Sequence, residues 1–443
     1  MGIMLSNWFA DIFFGRIAII IYVIILFLLI LVFLYTVFLK DQLKEKTIIF
    51  DNEYNNLNNR VGIDGAGGSG NNGGPNNSSR AKLTGRFFEL TAIDNKLKEY
   101  QKITEDKTYT LRDICEDFRN FAANDSGGLY YDISEIRHFI AGLGVSHIAI
   151  FQGMSGTGKT SLAGSFGRFI SNSSTIIPIQ PMWKERSDLL GYFNEFTKKF
   201  NETTLLEVLY EANYSNKIYI VVLDEMNIAR IEYYFAEFLS LLELPKQEDR
   251  HIEVVNDHWA DDPKLLKDGK LLLPPNVWFI GTANNDDSTF AISDKVYDRA
   301  MVLNLNQKGK EFKSDYNEAI HFSSDSFYKL IDEAYKNYKF SQKGQQKVKE
   351  IDEYMQTTYH IAFGNRIMKQ ISNYVSLFVA CGGTENEALD DIISKKVLRK
   401  LEAKNPNLVR KNIEATIVKF NEIFPDDSTK SCYEYLSRME RGG

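Results

Sequence analysis

The chain has 443 residues, which is enough for two or three domains with sizeable hydrophobic cores. Its hydrophobic fraction of 44% and its charged fraction of 25% are typical of folded globular proteins. The net charge of −7 excludes a global basic footprint for nucleic acid, although a local basic patch stays possible. The three cysteines are far apart and form no C-x-x-C pair, so neither a disulfide framework nor a zinc site is indicated.

Residues 17–39 are an uninterrupted apolar run near the N-terminus. A helix of about 23 residues spans roughly 35 Å, against a hydrocarbon core of about 30 Å, which predicts a transmembrane helix. A cleaved signal peptide is the alternative, but its apolar region is usually only about 7 to 15 residues long. Lys40, Lys44 and Lys46 follow the run and only Arg16 precedes it, so the positive-inside rule predicts a single-pass membrane protein whose C-terminal part is cytoplasmic.

The segment after the apolar run changes in composition. Residues 1–46 form the N-terminal segment, and residues 47–84 are rich in Gly and Asn, which predicts a flexible linker. Residues 85–128 are predicted to be a small helical region because the stretches 93–103 and 111–123 are amphipathic. The next helix is predicted to begin at a capping box, Asp-Ile-Ser-Glu.

A Gly-rich motif of the form G-x-x-x-x-G-K-[ST] begins at Gly153. Small residues let backbone N–H groups surround phosphate oxygens, while Lys159 suits the phosphate charge and the Thr160 hydroxyl suits Mg²⁺. A strand-like run, 147–152, precedes the motif and a helix-like run, 161–170, follows it, which favours a phosphate-binding P-loop over an accidental Gly-rich turn. The residues predicted to bind the nucleotide here are Gly153, Ser155, Gly156, Thr157, Gly158, Lys159, Thr160 and Ser161.

Acidic and polar residues end two further strand-like runs. The run 218–223 ends in Asp224 and Glu225, which predicts one carboxylate for Mg²⁺ and an adjacent one that polarises the attacking water. The alternative is a strand that meets an acidic turn, and the P-loop upstream favours the catalytic interpretation. A second run, 277–281, leads to Asn284, whose side chain could reach the γ-phosphate and its water.

Strand-like runs alternate with helical patterns over the middle of the chain, with two more at 174–179 and 300–305. This alternation predicts an α/β fold with a parallel sheet covered on both faces and the nucleotide at the carboxyl ends of the strands. A helix packed on the sheet is predicted from an apolar stripe at helical spacing: Ile228, Ile231, Phe235, Phe238 and Leu242. After residue 310 only helical patterns remain, namely 325–340, 345–358, 365–380, 385–401 and 409–439.

Four collinear segments carry a resemblance to a known family: FQGMSGTGKTSL (151–162), QPMWKERSDLLGYFN (180–194), VVLDEMNIARIEYYFAEFLSLLE (221–243) and PPNVWFIGTANNDDSTFAISDKVYDRA (274–300). Together they resemble the AAA+ ATPases of the McrB-like and dynein-related (MoxR–McrB) branch. The resemblance runs from about residue 129 to residue 401 and implies a P-loop AAA+ nucleotide-binding domain at 129–308 and an α-helical lid at 309–401. The helical patterns beyond it predict C-terminal helices at 402–443.

The same resemblance implies roles for individual residues at the phosphates. Lys159 would bind phosphate, Thr160 and Asp224 would hold Mg²⁺, and Glu225 would activate water. Asn284 is similar to sensor 1, and Asp287 completes the N-x-x-D signature of this branch.

Two arginines extend the resemblance beyond a single subunit. Arg299 stands where the family has its arginine finger, which acts on the neighbouring subunit, and Arg366 resembles the sensor-2 arginine at a lid-helix start. The alternatives are an Arg299 paired with Asp294 or Asp298 and an Arg366 that solvates a helix end. A finger implies a homo-oligomeric ring, expected to be a hexamer, because one subunit cannot enclose the γ-phosphate charge alone.

The resemblance also has local features. Residues 191–204 resemble a hairpin inserted in helix 2 and residues 244–273 an insertion before sensor 1, and both would project toward partners or a pore. The family typically doubles the finger arginine, whereas this chain has Arg299-Ala300. McrB itself prefers GTP, so the preference between ATP and GTP stays open.

These observations lead to one expected function and two alternatives. The expected function is a membrane-anchored AAA+ ATPase whose ring uses Mg·ATP hydrolysis to remodel a partner protein. A nucleotide-switched membrane scaffold or sensor is the first alternative, and Glu225 counts against it because a pure switch needs no water-activating acid. The second is a McrB-like motor for a nuclease partner in defence against foreign DNA, which the membrane tether and the lack of a recognisable DNA-reading module in the sequence disfavour.

Overall fold

The computed structural model describes residues 85–96, 102–105, 107–125, 128–284, 289–306, 309–315, 318–424 and 430–441. The predicted transmembrane segment 17–39, the predicted linker 47–84 and Asp287 lie outside these residues. Within the described part of the chain, no helix has both the length and the apolar character needed to cross a membrane.

A five-stranded parallel sheet forms the centre of residues 148–304, with the strand order β2-β5-β8-β1-β9. Its strands are β1 (Ile148–Gly153), β2 (Thr175–Pro178), β5 (Tyr219–Asp224), β8 (Val277–Asn284) and β9 (Met301–Asn304). Each strand begins within one residue of the position predicted from its apolar run, so the prediction of a parallel α/β sheet is confirmed. Continuous apolar runs suit these strands because both faces of the sheet are covered.

The strand register brings the predicted site to one edge of the sheet. Gly153 at the end of β1 pairs with Asn284 at the end of β8, and Leu223 in β5 pairs with Gly281 in β8. The carboxyl ends of β1, β5 and β8 therefore meet, and the polar residues that follow these strands are brought together.

Helices cover both faces of the sheet. On one face the Phe166 ring packs edge to face against Phe118 and Phe139, with ring centroids 5.0–5.1 Å apart. On the other face Phe235 and Phe238 pack against the strand residue Phe279. The helices of this region are α1 (Glu89–Lys96), α2 (Leu111–Asn124), α3 (Ile133–Val145), α4 (Lys159–Phe169), α5 (Arg186–Leu190), α6 (Thr204–Ala212), α7 (Ile231–Tyr234), α8 (Ala236–Leu241) and α9 (Asp294–Tyr297).

The helix predicted after Asn227 is not continuous. A 3₁₀ turn, Met226–Ile228, precedes α7 and α8, which are separated at Phe235 (φ −110°, ψ 7°). The Tyr234 hydroxyl donates to Met226 O over 2.7 Å and ties the first segment back to the strand end. Phe235 and Phe238 are nevertheless fully buried, so the prediction of a core stripe is right and that of one straight helix is wrong.

The first helix also differs from its prediction of 93–103. It spans Glu89–Lys96, and residues 102–105 are not helical. Its start is shifted because the Glu202 carboxylate accepts hydrogen bonds from three backbone N–H groups, those of Phe88, Glu89 and Leu90, over 2.7–2.9 Å. These are groups that the first turn of a helix leaves without a partner.

Two small antiparallel hairpins interrupt the α/β region. One pairs β3 (Gly191–Asn194) with β4 (Lys199–Glu202), and the other pairs β6 (His251–Glu253) with β7 (Lys270–Leu272). They occupy the two segments predicted to be insertions, 191–204 and 244–273.

The C-terminal part is helical, as the sequence predicts. Its helices are α10 (Ser324–Asn337), α11 (Gln342–Tyr359), α12 (Asn365–Ala380), α13 (Glu385–Lys396), α14 (Pro406–Ile423) and α15 (Lys430–Arg441), with a 3₁₀ segment at Leu398–Ala403. The helical C-terminal segment predicted at 409–439 contains two helices, α14 and α15. Helix α12 packs on α3, where His138 stacks on Phe378 and bonds the Tyr374 hydroxyl over 2.7 Å. These helices therefore share a core with one face of the sheet.

Candidate functional site

The loop between β1 and α4 has the backbone that the Gly-rich motif predicts. Gly153, Gly156 and Gly158 all have positive φ, at 147°, 77° and 88°. A Cβ on Gly153 would lie 2.1 Å from Leu305 O, so that position excludes any side chain. Gly158 precedes the first residue of α4, and its carbonyl accepts a hydrogen bond from the Tyr131 hydroxyl over 3.0 Å. The loop thus leads directly into a helix N-terminus, which favours an anion.

Lys159 is the first residue of α4 and is 7% exposed. Its ammonium donates to Gly153 O over 2.9 Å and to Met154 O over 2.7 Å. The amine therefore lies inside the curve of the loop, where it can exchange a carbonyl for a phosphate oxygen.

The other loop residues differ in exposure. Ser155 and Gly156 are exposed at the crest, Thr157 donates to Met154 O over 2.9 Å, and Ser161 is exposed on the first turn of α4. Their backbone N–H groups, rather than their side chains, are suited to phosphate.

A second group of side chains joins β5 and β8 to the loop. The Thr160 hydroxyl donates to Asp224 Oδ1 over 2.7 Å, and the Thr282 hydroxyl donates to the same oxygen over 2.8 Å. Thr282 in turn accepts the backbone N–H of Glu225 over 2.8 Å. Thr160 and Asp224 present adjacent hard oxygen donors, which is the donor type that Mg²⁺ prefers. These residues therefore fit the metal proposed from the sequence.

Glu225 and Asn284 lie side by side beyond Asp224. Glu225 has a left-handed backbone (φ 53°, ψ 47°), which is unusual for a residue with a side chain. Asn284 Nδ2 lies 3.4 Å from Glu225 Oε1, and Asn284 O accepts from Asn227 Nδ2 over 3.0 Å. Strained residues concentrate at functional sites, and this one directs a carboxylate toward the side-chain amide of Asn284 at the end of β8.

The two arginines are brought together by a residue that sequence reasoning missed. Arg299 Nη2 lies 2.8 Å from one oxygen of Glu243, and Arg366 Nη1 lies 2.6 Å from the other. Arg299 Nη1 also donates to Lys295 O over 2.8 Å. The ion pair of Arg299 is thus with Glu243, and not with Asp294 or Asp298 as in the alternative interpretation. Arg366, at the start of α12, shares that carboxylate.

Thr282 is the second residue that sequence reasoning missed. It stands inside the apolar strand β8 and is 3% exposed. A buried hydroxyl needs a hydrogen-bond partner, so a threonine two residues before Asn284 was a usable signal for a polar function there.

A cavity of about 660 Å³ adjoins the loop on the side of the C-terminal helices. Gln152 lines it from β1, Asn306 from just beyond β9, Ser134 from α3 and Lys395 from α13. The cavity therefore lies between the sheet and the C-terminal helices, and none of the loop residues 153–158 lines it.

Comparison with known proteins gives two family matches on separate parts of the chain. Residues 148–300 match the model of an AAA domain (dynein-related subfamily), and residues 314–443 match a domain of unknown function, DUF8727. No curated protein sequence matches the chain. A crystal structure described as that of a "putative ATPase" from Cytophaga hutchinsonii is similar at 13% identity and a TM-score of 0.42, over 67% of this chain and 83% of the other.

Proposed function

We propose that this chain, whose residues 148–300 are an AAA-type ATPase domain, hydrolyses Mg·ATP in a membrane-anchored ring and remodels a partner protein. The family match supports a nucleoside-triphosphatase in general terms. We propose in addition that the nucleotide is ATP, that the protein forms a ring, that it is anchored in a membrane and that it acts on a partner protein.

One observation carries the hydrolytic part: Asp224 accepts hydrogen bonds from both Thr160 and Thr282, and Thr282 also holds the backbone of Glu225. The Asp224 carboxylate is thereby oriented toward the Thr160 hydroxyl, and the backbone of Glu225 is held next to it. A bound Mg²⁺ would offset phosphate charge at the Thr160 and Asp224 oxygens. Glu225 is then placed to accept a proton from the attacking water, and Asn284 to orient that water.

The hydrolytic proposal is tested with Glu225→Gln in the full-length protein. Turnover of Mg·ATP should fall by about 10²–10⁴-fold, because the amide cannot accept the proton, while nucleotide affinity is retained. Glu353→Gln, a change at an exposed glutamate of α11, is the matched control and should keep wild-type turnover. Equal turnover by Glu225→Gln and wild type would overturn the proposal. Competition between ATP and GTP in the same assay decides the base preference.

The ring is supported by the placement of Arg299. Its guanidinium is held by Lys295 O and Glu243, and neither belongs to the phosphate-binding loop of its own chain. Arg366 reaches the same carboxylate, so two cations stand together where a neighbour's phosphates could exchange for Glu243.

Mixing of subunits tests the ring. Lys159→Ala subunits keep Arg299 but lose their own site, and Arg299→Ala subunits keep the site but lose the finger. The mixture should regain turnover that neither variant has alone. If both variants fold and assemble and the mixture stays inactive, action across the interface is wrong.

The membrane part is supported by the apolar run 17–39 and the Gly- and Asn-rich linker after it. The full-length chain should stay in the membrane fraction after alkaline extraction. The double change Ile25→Asp and Leu29→Asp, which places two charges in the apolar run, should release it. Equal release of both proteins would contradict a spanning anchor.

Remodelling of a partner protein is supported by the β3–β4 hairpin. Phe196 at its tip is 100% exposed, and Tyr192 on β3 is also exposed. A photo-crosslinking residue at position 196, in a Glu225→Gln background within membranes, should capture a partner in an ATP-dependent way. Capture that is independent of nucleotide would count against remodelling.

A further inference from the structure

A lysine from the C-terminal helices is buried beside the predicted finger. Lys396 is the last residue of α13 and is 2% exposed. Its ammonium donates to Tyr297 O over 2.6 Å and also to Ala300 O. These two carbonyls lie on either side of Arg299 in the chain. Because a buried amine is costly unless it is hydrogen-bonded, these two contacts define what this lysine does.

The segment that Lys396 contacts is short. Helix α9, Asp294–Tyr297, is a single turn, and the backbone N–H groups of residues 298–300 extend it by donating to Asp294 O and Val296 O over 2.8–3.0 Å. One isolated turn gains too few hydrogen bonds to offset the entropy of ordering it. Contacts from other elements therefore add to these local hydrogen bonds in fixing the path of residues 298–300.

Other residues of the C-terminal helices contact the same segment. Gln370 Nε2 donates to Asp298 O over 3.1 Å. Arg399 Nη2 lies 2.7 Å from Asp294 Oδ1, and its guanidinium lies 3.9 Å from the centre of the Tyr297 ring. We use the term lid contacts for four interactions made by the C-terminal part of the chain. Three are those of Lys396, Gln370 and Arg399 with this segment, and the fourth is that of Arg366 with Glu243.

The lid contacts act on the backbone and on the side chain of Arg299 at once. Lys396 ties the carbonyls before and after it, and Arg366 shares with it the carboxylate of Glu243. A shift of the C-terminal helices relative to the sheet would therefore move both the backbone around Arg299 and its guanidinium.

We propose that Lys396 is the positioning residue of Arg299. Through this lysine, the position of the C-terminal helices determines whether the Arg299 guanidinium reaches the nucleotide of the neighbouring subunit. The proposal rests on the ATPase ring proposed above. Lys396 itself touches neither nucleotide nor water.

The test is a set of mixed full-length assemblies with Mg·ATP. Lys396→Met should lower kcat by about 10- to 100-fold, as small misplacements of catalytic groups do, and leave KM unchanged because its own loop is intact. Lys159→Ala subunits, which carry an intact finger, should restore the turnover of Lys396→Met subunits as they restore Arg299→Ala subunits. Subunits with the double change Lys159→Ala, Lys396→Met should restore the turnover of neither the Lys396→Met nor the Arg299→Ala subunits.

The outcomes distinguish a failure of this proposal from a failure of the proposed ATPase ring. If Lys159→Ala rescues Arg299→Ala but not Lys396→Met, the lysine serves its own site or the fold, and the proposal is overturned. Wild-type kcat in Lys396→Met would also overturn it. If Lys159→Ala fails to rescue Arg299→Ala, the ring itself is wrong. Gln370→Leu, which removes a smaller lid contact and keeps the buried lysine, should show the same rescue pattern with a loss of about threefold.

Discussion

The hydroxyl of Thr282 donates to Asp224 Oδ1 over 2.8 Å and accepts the backbone N–H of Glu225 over the same distance. A single threonine in the neighbouring strand thus positions the two acidic residues on which the proposed chemistry depends. This link between β8 and β5 leads to the first prediction.

Thr282→Val should preserve the shape of the strand and remove both hydrogen bonds. The Glu225 N–H then loses its partner, so we expect kcat to fall by about tenfold or more and the free energy of unfolding to fall by about 1–3 kcal/mol. Thr282→Ser keeps the hydroxyl and should retain most of the activity. Steady-state turnover and urea unfolding measure the two effects, and an active Thr282→Val protein would show that Glu225 needs no such support.

Gly153→Ala should abolish nucleotide binding. The new Cβ would lie 2.1 Å from Leu305 O, and the φ of 147° is unfavourable for alanine, so the loop must distort and stability should fall by about 1–3 kcal/mol. Gly164→Ala in the middle of α4 is the matched control, because its Cβ would meet only Arg168 Nη1 at 3.5 Å. That change should raise stability by about 0.5–1 kcal/mol. A nucleotide titration and thermal unfolding distinguish them.

Arg86→Met should destabilise the fold by about 3–5 kcal/mol. Arg86 and Asp262 have side chains that are 1% and 0% exposed, and the guanidinium also pairs with Asp257 and lies 4.6 Å from the centre of the Trp259 ring. Removing the arginine leaves the buried Asp262 carboxylate with only the exposed His258 ring, 3.7 Å away, as a possible ion-pair partner among the described residues. The double change Arg86→Met, Asp262→Leu should recover part of the loss. Urea unfolding at equal protein concentration compares them, and equal stability of the two variants would contradict this explanation.

His147 predicts a pH dependence of stability. Burial lowers its pKa to about 4, with Arg250 acting in the same direction and a hydrogen bond to Val277 O opposing them. In the unfolded chain its pKa is about 6.5, so the unfolded state binds more protons between these values. Stability should therefore fall as the pH falls from about 6.5 toward 4, by up to about 1.4 kcal/mol per pH unit from this residue.

The control for this pH effect is His147→Asn, which keeps a polar group near Val277 O but does not titrate. Its stability should change less between pH 6.5 and 5 than that of the wild type, as measured by urea unfolding at each pH. Equal slopes for the two proteins would show that folding does not change the pKa of His147, which would contradict the prediction.

The sequence by itself determined the sheet and the place of the phosphate loop. Apolar runs of strand length marked β1, β2, β5, β8 and β9 within one residue at their starts, because burial on both faces requires continuous apolar residues. The motif from Gly153 onward also depends on local chemistry, since only glycine tolerates the backbone that encloses a phosphate. Parallel pairing then brings the strand ends to one edge, so Asp224 and Asn284 could be expected near Thr160.

Only the tertiary structure decided which polar residues support that site. Glu243 lies 56 residues from Arg299 and Lys396 lies 96 residues from Ala300, so no local period or motif records that they touch. The break at Phe235 likewise follows from how α7 and α8 fit the sheet. The physical reason is that apolar periodicity is a property of one element, whereas the partner of a polar side chain is chosen by the packing of elements distant in the chain.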